Sequence, residues 1–169
     1  MWIYENLNWW LSSSYESAEA QKIHRYAEPT DKLFKAFASG LLVAPPITHT
    51  LPPVASFQRD GLTTPPSGAV IILTTFGYQP GKTGLALDGW KALAAHAKEK
   101  EPGALAVDVT EDVKGNKVHT VQLFDSEESA DAHVNGEAIK ANREQNGDLR
   151  TGERNIVRVK IVYGFLSKW

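Results

Sequence analysis

The sequence predicts an α+β fold of the ferredoxin-like, split βαβ kind. Three observations predict it: four stretches of strand chemistry, two stretches of helical periodicity, and the order β-α-β-β-α-β in which they fall between residues 69 and 169. The first strand is "AVIILTTFGY", β-branched and aromatic, too short for a helix and closed by the turn signal "QPG". From Thr83 to Lys100, Ala86, Trp90, Leu93, Ala94 and Ala97 recur at three- and four-residue spacing opposite Lys91, Lys98 and Glu99, so an amphipathic helix is expected, stopped by "EPG". "ALAVDVTED" and "KVHTVQLF" alternate around the turn "VKGN" and read as a hairpin. Asp125 or Ser126 is placed to cap the next helix, with Glu128 completing a capping box; the helical pattern runs, with an interruption near "VNGE", to about Gln145. "RNIVRVKIVYGFL" is the long alternating last strand.

Ahead of this unit lies a partial copy of it. "ESAEAQ", residues 16–21, nearly repeats "ESADAH", residues 128–133. Around it, "MWIYEN" reads as a strand, "ESAEAQKIHRYAEPTDKLFKAFASG" as helix broken at Pro29 and stopped by glycine, and "HTLPPVASFQR" as a strand despite its prolines. The expected organisation is a β-α-β half-repeat over 1–60, a Pro/Gly-rich linker over 61–68 and the complete unit over 69–169. The insertion "LNWWLSSSY", carrying Trp9 and Trp10, has no counterpart in the second copy.

Composition narrows the chemistry. The 169 residues contain no cysteine, which excludes disulfides, thiolate catalysis and cysteine-based metal centres. A formal net charge of −2 offers no basic excess for phosphate backbones, so no nucleic-acid partner is expected. No stretch approaches the roughly 20 apolar residues of a membrane helix, and the N-terminus lacks the basic and apolar regions of a signal peptide. A cytoplasmic protein without a membrane partner is the expectation. No His-x-x-His or Glu-x-x-His pair suggests a metal, "QPGKTG" lacks the first glycine of a phosphate loop, and no Gly-x-Ser-x-Gly suggests a hydrolase.

With "YQPGK" after the first strand, "EPGALAVDVTED" between helix and second strand, and "FDSEESADAHV" entering the second helix, residues from about 69 to 165 resemble the antibiotic-biosynthesis-monooxygenase family of dimeric α/β barrels. The resemblance implies that the sheet face away from the helices closes against a second sheet, in a homodimer or within the chain. It also implies a monooxygenase or cyclase that needs no cofactor or metal and acts on a hydrophobic, aromatic polyketide-like small molecule. The alternative is a non-catalytic small-molecule-binding or stress-related barrel. Against the haem-degrading branch, which carries Asn, Trp and His at three set places, this chain has Thr74, His133 and Asn142, so haem is not expected.

Cofactor-free oxygenation requires a base, donors to a developing oxyanion, and dry aromatic walls. His133, on the helical side shared with Ala130 and Val134, is the candidate base. Trp90, midway along the first helix, is the candidate wall, Tyr163 on the last strand is a candidate donor, and His119 in the hairpin is a further candidate catalytic partner. A structural, hydrogen-bonded histidine and ordinary core packing are the competing readings for His133 and Trp90. Asn142, two turns beyond His133, reads as a surface polar residue. The site is expected between the sheet and the helices of the complete unit.

Overall fold

The computed structural model describes residues 15, 17–41 and 50–160, and the chain divides into two compact units, Met1–His49 and Thr50–Trp169. "MWIYEN" and the Trp9/Trp10 insertion lie outside the described residues, as does Tyr163.

In the first unit, α1 (Ala18–Tyr26) starts where the Ser17 hydroxyl accepts from the Ala20 N–H at 3.0 Å. The break expected at Pro29 falls at Ala27, which is extended and precedes α2 (Glu28–Ala36). Proline lacks the N–H that a helix interior needs, yet suits a first turn, so Pro29 opens the second helix instead of ending the first. A π turn (Phe37–Leu41) follows, with Gly40 at φ +96°.

The second unit is ferredoxin-like. Its strands are β1 (Pro53–Gln58), β2 (Val70–Tyr78), β3 (Ala104–Asp112), β4 (Lys117–Phe124) and β5 (Arg150–Lys160), in the antiparallel order β1-β3-β4-β2-β5. Helices α3 (Thr83–Lys100), α4 (Glu127–Asn135) and α5 (Glu137–Asn146) complete it. The stripe read in the sequence is the buried face of α3, where Ala86, Trp90, Leu93, Ala94 and Ala97 all lie in the core.

Three details add to the sequence reading. The strand expected to close an N-terminal half-repeat does form, but β1 pairs with β3 at the sheet edge, and its Ala55 and Phe57 pack on the core of the second unit. The compact unit therefore begins at Thr50, inside the stretch assigned to the half-repeat. The helical stretch after Ser126 is two helices joined at Gly136, whose extended φ of −74° and ψ of 167° end α4 and whose N–H returns to His133 O at 3.0 Å. The α5 that follows opens on Glu137, its exposed carboxyl held below the usual carboxylate range by the hydrogen bond and charge of Lys140.

Alternation then sorts the sheet into two faces. Val70, Ile72, Phe76 and Tyr78 of β2 join Val107, Val109, Val118 and Phe124 beneath the helices. Ile71, Leu73, Thr75, His119, Val121, Leu123, Val157 and Val159 point the other way, with Leu73 at 9% and Leu123 at 4% exposure but Val159 at 40%.

Candidate active site

His133 sits in the last turn of α4, 1% exposed, packed with its ring centroid 5.0 Å from that of Phe124. Local sequence explains how it gets there. The Ser126 hydroxyl accepts from the Ser129 N–H at 3.2 Å to start α4, and Ala130 and His133, three residues apart, then share the inward side. Val134, expected on that side, is 40% exposed because it lies a further 100° around the helix.

The imidazole is held by a carboxylate. His133 Nδ1 lies 2.6 Å from Oε2 of Glu101, the residue that ends α3, and His133 Nε2 is buried without a hydrogen-bond partner. Glu101 Oε1 lies 3.8 Å from Nε2 of the half-exposed His96. In the neutral imidazole, a carboxylate on Nδ1 makes that nitrogen the protonated one and leaves Nε2 with a lone pair, the tautomer a general base requires. The sequence reading named His133 but missed Glu101, which stands 32 residues away. The "EPG" that stops α3 marked its place without revealing its partner.

Trp90 occupies the other end of the same helix-covered face. Its Nε1–H donates to the Tyr78 hydroxyl at 2.8 Å, and its ring stacks at 5.5 Å on Phe76. Phe76 pairs with Val118, six residues before Phe124 on β4, so Trp90 and His133 are separated by roughly 20 Å of strand. Between them runs a buried polar chain: Thr74 and Thr120 hydroxyls 2.7 Å apart, with Gln122 Nε2 donating to Thr120 Oγ1 at 2.8 Å. His119 is on the opposite sheet face, its Nδ1 2.9 Å from the Thr75 hydroxyl, because alternation along β4 sends it away from Thr120. The structure thus brings His133 and Trp90 under the same helices, at opposite ends, and does not bring His119 to them.

Asn142 is the clearest revision. It is 4% exposed, not a surface residue, because α5 presents Asn142 and Asn146 one turn apart toward the core. Arg150, opening β5, donates to Asn142 Oδ1 at 2.8 Å while its guanidinium lies 4.3 Å over the Phe76 ring and 5.8 Å from that of Trp90. Asn142 Nδ2, Asn146 Oδ1 and Arg150 Nε are buried and lack hydrogen-bond partners. Such groups are uncommon in folded proteins and each needs an explanation. Among the described residues no cluster of three or more His, Asp or Glu could hold a metal ion, and no helix is long and apolar enough to cross a membrane.

The comparisons with known proteins fit this fold. Residues 69–145 match the family model described as antibiotic biosynthesis monooxygenase. A Fusobacterium nucleatum protein provisionally named a monooxygenase aligns over 92% of this chain and 72% of its own, at 12% identity and TM-score 0.66. A Lactobacillus acidophilus protein, named likewise, aligns over 90% of this chain and 71% of its own, at 15% identity and TM-score 0.63. One from Caulobacter crescentus, provisionally named an antibiotic biosynthesis monooxygenase, covers 57% of this chain and 92% of its own, at 23% identity and TM-score 0.53. No curated protein matches the chain. At these identities the structural likeness speaks for the fold, and the match over 69–145 speaks for that stretch alone: residues 69–145 form a domain of the antibiotic biosynthesis monooxygenase family.

Proposed function

We propose that this protein is a cytoplasmic monooxygenase or cyclase acting without a cofactor on an aromatic, polyketide-like small molecule, with His133 as its base. The observation that carries the reading is the imidazole itself, with Nδ1 fixed by Glu101 at 2.6 Å and Nε2 buried and unpartnered. Nε2 takes a proton from a phenol or from a methylene between aromatic rings, and the Glu101 carboxylate stabilises the imidazolium that forms. For such a methylene, dioxygen supplies one oxygen atom to the new carbonyl and the other leaves as water, all electrons coming from the substrate. The Thr74, Thr120 and Gln122 chain and the Trp90 indole supply polar and aromatic surface on the same face.

Assembly belongs to the same proposal. The apolar side chains on the sheet face away from the helices close against a second sheet, most simply that of a second copy, since Val159 stands 40% exposed there.

One observation favours the alternative of a small-molecule-binding barrel without chemistry. The unpartnered Arg150 and Asn142 donors meet an aromatic wall that lacks a base, which suits retention of an anionic aromatic ligand. Oxygen consumption by the purified protein with phenolic, anthrone-like compounds separates the two. Turnover that falls about 10²–10⁴-fold in His133→Ala, with the fold intact by circular dichroism, is the expected result. Full activity in that variant rejects the base, and saturable binding without oxygen uptake favours the binding barrel.

A further inference from the structure

We propose that Arg59, the residue that follows the strand added at the sheet edge, is a positioning residue that sets the Glu101–His133 pair. The inference rests on the reading of His133 as the base and adds a residue outside the matched region 69–145.

The Arg59 guanidinium is spent on the backbone that carries Glu101. Its Nε donates to Ala104 O at 2.8 Å, and one terminal nitrogen donates to Glu101 O at 2.8 Å and Lys98 O at 3.1 Å. The Arg59 backbone N–H adds a bond to Leu105 O at 2.9 Å. Lys98 O and Glu101 O lie at the end of α3, where the last C=O groups and the negative end of the helix dipole favour a cation, and Ala104 O and Leu105 O open β3. A guanidinium presents its donors in a fixed fork, so it can hold several carbonyls in one geometry, which an ammonium on a flexible stem does less well.

Glu101 has left helical φ/ψ, at −116° and 85°, and the helix holds it only through its N–H, which donates to Ala97 O at 3.2 Å. On its other side the turn is fastened to the start of α4: Asp125 N–H donates to Gly103 O at 2.9 Å, and Gly103 approaches Ser129 so closely that a Cβ would collide with its side chain. Glu101 is thus gripped between β1 and α4, and a 2.6 Å contact to His133 depends on that grip. Released, the carboxylate has a competing partner in His96, already 3.8 Å away and more exposed. Arg59 therefore orients the base through its carboxylate partner, without touching substrate.

The test reads the Nδ1 proton of His133 by NMR of the full chain labelled at histidine nitrogen, with His133→Gln and Glu101→Gln identifying the signal by its loss. The unaltered chain should show a slowly exchanging Nδ1 proton. In Arg59→Ala that proton should exchange roughly tenfold faster or vanish while the fold persists, with Arg59→Lys in between. A cap serving stability alone would lower the melting temperature and leave this proton unchanged, which would overturn the proposal. If Arg59→Ala does not fold, Arg59→Lys decides, and wild-type exchange there overturns it; a missing proton in the unaltered chain removes the premise. Full turnover by His133→Ala alongside an Arg59-sensitive proton would sink the catalytic reading and keep the brace.

Discussion

Leaving an indole N–H buried without a partner costs about 1–3 kcal/mol, and Trp90 avoids this by donating to Tyr78 at 2.8 Å. Tyr78→Phe should therefore destabilise the protein by about 1–3 kcal/mol in urea denaturation, although it deletes a single oxygen. Trp90→Phe in the same background should add less than it costs alone, since the unsatisfied donor is gone; additive losses in the double-mutant cycle would show that the hydrogen bond is not the coupling. The burial of Trp90 was legible from the apolar spacing of α3, which repeats through Ala86, Leu93 and Ala97. Its partner was not, because Tyr78 ends a strand and the meeting depends on how α3 crosses the sheet. The same holds for Asn142, whose polarity suggested the surface while its helix turned it inward onto Arg150.

At the scale of elements, caps and turns decided the boundaries. Ser126 is the N-cap of α4, its hydroxyl accepting from Ser129 N–H at 3.2 Å and also lying 2.9 Å from Asp125 Oδ1. Ser126→Ala should cost about 1 kcal/mol, within the 0.5–2 kcal/mol range for lost caps, and Ser126→Asp should recover most of it; equal melting temperatures for Ala and Ser would refute the cap. Helix α3 and the β3–β4 hairpin lie where periodicity placed them, since each is long, regular and bounded by Gly, Pro or Asn. The division at Gly136 was visible only as an interruption in the pattern. Its outcome depends on backbone that must return to His133 O, and a side chain there would crowd Ala132 O at 3.0 Å.

At the scale of the whole molecule, the sheet's second face is the surface that assembly would cover. Ile71, Leu73, Val121, Leu123, Val157 and Val159 make that face apolar through its centre, with Thr75 and His119 joined by a hydrogen bond beyond them. On the proposal that a second copy covers it, static light scattering should return twice the mass of one chain, and Val159→Asp should return the mass of one. A monomeric unaltered chain would refute the pairing between copies. Among the described residues β5 ends the strand order and carries the exposed Arg154, Arg158 and Lys160, charges that discourage indiscriminate strand addition.

What the sequence by itself determined is the run of elements in the second unit and the family to which residues 69–145 belong. Hydrophobic period, β-branched runs and turn residues are local properties, and a chain carries them before it folds. Only the tertiary structure decided that β1 joins the sheet at β3, that Glu101 meets His133 and that Arg59 reaches the end of α3. It also decided that Trp90 and His133 sit at opposite ends of one face while His119 sits on the other. These are contacts between residues 12 to 57 apart in sequence, set by strand register and helix packing, and no local pattern records which distant side chain will complete a buried hydrogen bond.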